Sequence, residues 1–152
     1  MVLSTPSENS VRLKSPAQIE IIKASGQILA RTLHTLRDMA QPGVPLVELD
    51  DACRSMLASE HAKPAFLGYM DYPAAVCVSV NEQVIHGIPS KRRLRPGDVL
   101  SMDLGVKFEG LISDSATTVA IPPVLPEVEQ LLEVTQNALE RGIAAAQPGK
   151  RI

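Results

Sequence analysis

The sequence predicts an α+β fold in which helices pack on an antiparallel-rich sheet. Apolar residues recur at helical spacings of three and four over roughly the first sixty residues and again after Pro126. The intervening stretch, 65–121, instead has short apolar runs separated by turn residues and ends in a hairpin pattern around Glu109-Gly110. A length of 152 residues and 45% hydrophobic content indicate about one globular domain.

Three helices are expected. Ser15 is placed as an N-cap, with proline at the first helical position and Gln18 at the capping-box position, and this helix should end near Ala40. Gln41-Pro42-Gly43 interrupts the pattern, and a second amphipathic helix then runs from Leu46 to near His61. After a proline-rich break, a third helix is predicted from about residue 127 to 146.

The hairpin from Val99 to Ile121 carries one aspartate on each arm, Asp103 and Asp114. With a two-residue loop, Asp103 faces Ala116 and Asp114 is its diagonal neighbour; with a four-residue loop the two aspartates are directly opposite. Both registers place them on one face, whereas a three-residue loop would separate them, because side chains alternate along a strand. Paired carboxylates in a buried hairpin indicate a shared cation, and surface aspartates on a half-exposed hairpin are the alternative.

Composition excludes several classes of protein. A net charge of −2 gives no indication of nucleic-acid or anionic-membrane binding. The one basic cluster, 91–95, is interpreted as a solvated loop rather than a docking site for RNA or the ribosome. Cys53 and Cys77 have no disulfide-framework spacing, and neither a signal peptide nor a membrane span is evident, which favours a reducing cytoplasm.

A long ordered motif lies upstream of the hairpin. It reads YP-x-x-VC-x-SVNE-x-V-x-HGIP, then PGD-x-x-x-x-D, with a second aspartate eleven residues on. In this order and spacing the motif resembles the type I methionine aminopeptidases, members of the pita-bread metallopeptidase family. The resemblance extends from about Ser15 to the end of the chain and is strongest from Leu67 to Thr118. It implies the N-terminal half of a pita-bread fold.

The resemblance also implies roles for individual residues. Asp103 and Asp114 match two of the family's five metal ligands, and the other three, a histidine and two glutamates, come from a second half. His86 matches the active-site histidine that contacts substrate near the scissile amide. Tyr69, Tyr72 and Cys77 match positions that line the methionine pocket. The implied cofactors are two divalent metal ions (Mn, Co, Fe or Zn). From the residues themselves, Gly105 is interpreted as allowing close approach of metal or substrate.

The expected organisation is a polar tail at 1–14, the first half of a peptidase domain at 15–125, and the start of a truncated second half at 126–152. An internal repeat supports this division, because Ala40–Gly43 and Ala146–Gly149 both read AQPG and both follow a helix. With two of five ligands, the chain alone is expected to be inactive.

The expected substrates are N-terminal peptides with a small second residue, ribosome association is left open, and membrane and nucleic-acid partners are not expected. Three alternatives remain. One is a related proline-specific aminopeptidase, and a second is a non-catalytic binding module of the same fold. The third is a chain that acts only as a folding or dimerising partner. Met70-Asp71 departs from the family pattern at the rim of the pocket.

Overall fold

A computed structural model describes residues 13–151 of the chain. Residues 1–12 of the predicted polar tail, and Ile152, therefore lie outside the described residues. The described part contains three helices and four strands, with a 3₁₀ turn between the first two strands. In chain order they are α1 (Pro16–Met39), α2 (Leu46–Ser59), β1 (Lys63–Pro64), the 3₁₀ turn (Tyr69–Asp71), β2 (Cys77–Val80), β3 (Val99–Phe108), β4 (Leu111–Ala120) and α3 (Pro126–Ala145). The predicted α+β class is confirmed.

The strand β3 is the centre of an antiparallel sheet. β4 pairs with it along its whole length, from Val99 opposite Ala120 to Phe108 opposite Leu111. A strand has only two hydrogen-bonding edges, so β1 and β2 share the other edge of β3. The turn between β3 and β4 consists of two residues, Glu109 and Gly110, both with positive φ (45° and 82°), as in the favoured two-residue hairpins.

The two faces of β3 have different neighbours. Leu100, Met102, Leu104 and Val106 are fully buried in the core. Residues of one strand alternate between faces, so Ser101, Asp103 and Gly105 lie on the opposite side, which we call the site face. The core contains side chains from both N-terminal helices, from β2 and from the residue before β2, among them Leu29, Leu33, Leu36, Leu49, Leu57, Val76 and Val78.

The helix α1 begins as the sequence predicts. The Ser15 hydroxyl accepts from Gln18 N at 3.3 Å, and the Gln18 side chain accepts from Ser15 N at 2.9 Å, which completes a capping box. Further along, Ser25 is fully buried and its hydroxyl donates to the Val106 carbonyl and lies 2.7 Å from the Ser113 hydroxyl. This contact attaches α1 to both arms of the hairpin.

The C-terminal part of the described chain is more exposed than the core. Within β4, Asp114 is exposed, so this arm matches the half-exposed alternative of the sequence analysis. The helix α3 has no buried residue, and several of its apolar side chains are exposed: Leu131, Val134, Leu139 and Ile143. None of the helices within residues 13–151 combines the length and hydropathy needed to span a membrane.

The loop before β3 is organised by one buried carboxylate. Asp98 Oδ1 accepts from Asn81 Nδ2 at 2.9 Å and from the Arg92 guanidinium at 3.0 Å, and Oδ2 accepts from Arg95 N at 2.9 Å. Burial acts to raise the pKa of Asp98, but these donors together outweigh it and hold the pKa below its ordinary value. The PGD segment is therefore a structural anchor for the start of β3.

We expect Asp98→Asn to lower the free energy of unfolding by about 1–3 kcal/mol at pH 7, because an amide cannot accept from all three donors. The folded state binds the Asp98 proton less tightly than the unfolded state, so this contribution is present above the ordinary aspartate pKa, near 4. It is lost as the pH falls below that value. Urea unfolding at pH 7 and pH 3 measures both effects. Asp51→Asn, at an exposed position on α2, is the control; equal losses for both variants would contradict this role.

Candidate active site

The strand register brings the two predicted metal ligands to the same face. Asp103 lies opposite Cys77 on one side and Ala116 on the other, while Asp114 lies opposite Gly105. Of the registers that the sequence allowed, the structure has the one with a two-residue loop. Asp114 is therefore the diagonal neighbour of Asp103, within reach of its carboxyl group.

Asp103 is a carboxylate with one unsatisfied oxygen. Its Oδ1 is buried and has no hydrogen-bond partner in the described part of the chain. Burial raises the pKa of Asp103, and the negative charge of Asp114 raises it further, while His86 acts in the opposite direction. A buried charged oxygen without a donor is costly, so this oxygen fits a position that contacts a cation or carries a proton.

A cavity of about 300 Å³ opens beside this carboxylate. Its wall is mostly aromatic or sulfur-containing, and it consists of Phe66, Tyr69, Met70, Tyr72, Cys77, His86 and Asp103. The structure thus brings five of the six sequence-predicted site residues around one cavity. The sixth, Asp114, does not line it but lies next to Asp103 on the site face.

The Tyr72 phenol and the Cys77 thiol in the cavity wall are both neutral near pH 7. Burial raises the pKa of the Tyr72 phenol, and the neighbouring Cys77 side chain and nearby carboxylates raise it further. Burial also raises the pKa of the Cys77 thiol; Asp103 and Asp114 add to this effect, and Tyr72 opposes it. A thiol that is buried and protonated is a soft, weakly polar surface rather than a nucleophile.

Phe66 is a lining residue that the sequence analysis missed. A side chain at Gly105 would place its Cβ 2.7 Å from Phe66 Cε1 and 2.9 Å from Ala65 Cβ. Gly105 was expected to admit a metal or substrate, but the group that approaches it is the Phe66 ring. The glycine inside an otherwise regular strand was the available signal, because such a glycine often marks a close approach.

Met70 and Asp71, the departure noted in the motif, form an unusual turn. Both have positive φ, 48° and 63°, a conformation that non-glycine residues rarely adopt. Met70 is 84% exposed and lies at the mouth of the cavity. The two residues therefore shape the rim of the cavity beside Tyr69, which is itself 69% exposed.

The two aspartates fit a divalent cation as part of its donor set. Carboxylate oxygens suit divalent metal ions. Among the described residues, no hydrogen-bond donor contacts Asp103 Oδ1 and would compete with such an ion. Nowhere in residues 13–151 do three or more His, Cys, Asp or Glu side chains form a group that could hold a metal. The described residues thus supply two carboxylates and no further ligand beside them.

Comparisons with known proteins agree with this geometry. The model of metallopeptidase family M24 matches residues 20–152. The chain belongs to this family. Family M24 enzymes use divalent metal ions, in agreement with the unsatisfied carboxylate on the site face.

Two family members illustrate the similarity. The methionine aminopeptidase of Borreliella burgdorferi is 44% identical over 142 residues, which is 93% of this chain and 57% of the relative. The crystal structure of methionine aminopeptidase from Thermotoga maritima superposes with a TM-score of 0.91 at 35% identity, over 93% of this chain and 57% of that one. The expected pita-bread architecture is thereby confirmed. The chain spans less than three-fifths of the length of these relatives.

A more distant solved structure shares the fold alone. The prolidase from Pyrococcus furiosus has a TM-score of 0.78 but only 22% identity, and this chain covers 39% of it. The fold by itself therefore does not distinguish a methionine aminopeptidase from a prolidase. That distinction depends on the side chains of the cavity.

We expect Gly105→Ala to lower the free energy of unfolding by about 1–3 kcal/mol, because the new methyl group overlaps Phe66 and Ala65. The matched control is Gly26→Ala in α1, where a Cβ meets nothing within 4 Å and should stabilise the helix by about 0.5–1 kcal/mol. Thermal unfolding of both variants measures the difference. A Gly105→Ala chain as stable as the parent would show that the Phe66 ring does not occupy this position.

Proposed function

We propose that this chain forms the first half of the active site of a metal-dependent aminopeptidase that removes N-terminal methionine. The observation that carries the proposal is the unsatisfied Asp103 oxygen at the edge of an aromatic and thiol-lined cavity, with Asp114 beside it. The high identity to methionine aminopeptidases supports the same activity.

In this proposal Asp103 and Asp114 hold two divalent ions, of Mn, Co, Fe or Zn. Such ions lower the pKa of a water molecule and polarise a peptide carbonyl, which is the chemistry that amide hydrolysis requires. Because the described residues offer two carboxylates and no third donor beside them, we propose that the chain alone binds metal weakly and has no activity.

His86 is proposed to contact the substrate. Its imidazole lines the same cavity as Asp103, close enough to influence the pKa of that carboxyl group. An imidazole N–H can donate to the oxygen of a scissile amide and stabilise the charge that develops there. Among the groups that line the cavity, it is the side chain best suited to this task.

The aromatic and thiol-bearing wall of the cavity is proposed to bind the methionine side chain. Sulfur makes favourable contacts with aromatic ring edges, and Phe66, Tyr69, Tyr72 and the neutral Cys77 provide a weakly polar surface for a thioether. An unbranched, flexible thioether side chain can follow the wall of a cavity of this kind. Substrates with a small second residue are part of the same proposal.

The remaining expectations concern organisation and context. We propose a polar tail at 1–14, the first half of the peptidase domain at 15–125 and the start of the second half at 126–152. A cytoplasmic location agrees with two buried free cysteines. The basic cluster gives little support for ribosome docking, because Arg92 pairs with Asp98 and Arg93 donates to the Gly43 carbonyl.

The proposal is tested with a chimera in which this chain is continued by the part of the Thermotoga maritima enzyme that it does not cover. We expect cleavage of Met-Ala-Ser only with added divalent metal, and no cleavage of Ala-Pro peptides. Asp114→Asn should abolish activity and Asp103→Asn should nearly do so, since an amide lacks the charge of the ligand. His86→Ala should keep its metal but lower kcat by about 10²–10⁴-fold.

The control for His86 is His34→Ala, at an exposed position on α1, which should retain full activity. If His86→Ala lost metal together with activity, the histidine would be a ligand and its proposed role would be wrong. Activity within about tenfold of the parent would show instead that His86 does not act on the substrate.

A further inference from the structure

The residue after His86 is held by hydroxyl groups from two separate segments. Gly87 N donates to Ser79 Oγ at 3.0 Å, and the Tyr72 hydroxyl donates to the Gly87 carbonyl at 2.9 Å. Val78 N donates to the same carbonyl at 2.8 Å. The N–H group of Gly87 and both lone pairs of its carbonyl are therefore engaged.

The backbone at Gly87 also lies directly against β2. A Cβ at this position would come 2.1 Å from the Val78 carbonyl oxygen and 2.8 Å from Ser79 Cα, so no other residue fits. His86, immediately before it, has φ of 57°, in the region that favours glycine. Such a conformation persists only where surrounding contacts fix it, and here those contacts are the hydrogen bonds of Gly87.

Ser79 has no role in the cavity wall, yet its hydroxyl is directed at this loop. It is 5% exposed and lies on the site face of β2, two residues after Cys77. Its register partner on β3, Ser101, instead has its hydroxyl 2.8 Å from that of Thr118. A buried hydroxyl is costly unless it is hydrogen-bonded, and the partner of this one is Gly87 N.

We propose that Ser79 is a positioning residue for His86, with the Tyr72 hydroxyl as the second element of the same clamp. The pair fixes the two peptide groups that flank Gly87, and this fixes the direction in which the imidazole enters the cavity. The inference rests on the proposed function in that His86 is the substrate-contacting group. The Tyr72 ring alone would be enough to line the pocket. The proposal gives its hydroxyl a second task, which is to hold the Gly87 carbonyl.

The test uses NMR spectroscopy of the full chain, which needs neither metal nor turnover. In Ser79→Ala, the Gly87 amide should exchange with solvent at least about tenfold faster, because its acceptor is gone. The order parameter of the His86 backbone amide should fall from near 0.85 to below about 0.6. Amides of the β3–β4 ladder should keep their protection. Ser101→Ala, which removes a hydroxyl at the paired position, should leave Gly87 and His86 unchanged.

Tyr72→Phe provides an independent variant that keeps the ring and removes only the hydroxyl. It should raise His86 mobility less than Ser79→Ala does, because Val78 N still donates to the Gly87 carbonyl. Unchanged Gly87 exchange and His86 order in Ser79→Ala would overturn the proposal. So would a loss of protection across the whole β3–β4 ladder, since Ser79 would then serve the fold as a whole. Failure of the proposed function would appear separately, in the Met-Ala-Ser assay.

Discussion

The site depends on one unfavourable placement, a carboxylate on the central strand of the sheet. Asp103 lies between β2 and β4, opposite Cys77 and Ala116, and neither neighbour offers a donor to its buried Oδ1. Burial and the nearby Asp114 both oppose its ionisation. A chain selected only for stability would place an apolar or hydrogen-bonded residue there, and uncompensated groups of this kind are concentrated at functional sites.

The rest of the fold makes that placement tolerable by separating the two faces of β3. The core face carries four fully buried apolar side chains packed beneath the N-terminal helices, and it supplies most of the stabilisation. The site face is left for chemistry: an aspartate, a glycine that admits Phe66, and a serine beside β2. Because alternate residues point to opposite faces, a shift of register by one residue would exchange core and site.

Local signals in the sequence predict much of this arrangement. The capping box at Ser15, the turn at Glu109-Gly110 and the common face of the aspartates all follow from short-range rules. The loop length, and with it the choice between two registers, could not be predicted because a period of two permits both. Contacts that depend on distant packing were also missed: the approach of Phe66 to Gly105, and the hydrogen bond that Ala75 N donates to Asp50 Oδ1 from 25 residues away.

The most direct test of this account is urea unfolding of Asp103→Asn without metal. We predict that the free energy of unfolding stays the same or rises by up to about 1 kcal/mol, because the substitution removes an unpaired buried charge. Asp50→Asn is the matched control, and it should be destabilised because Asp50 accepts from Ala75 N, Val76 N and Arg54 Nε. If Asp103→Asn lost as much stability as Asp50→Asn, then Asp103 would have a structural partner, and the carboxylate would not be reserved for a cation.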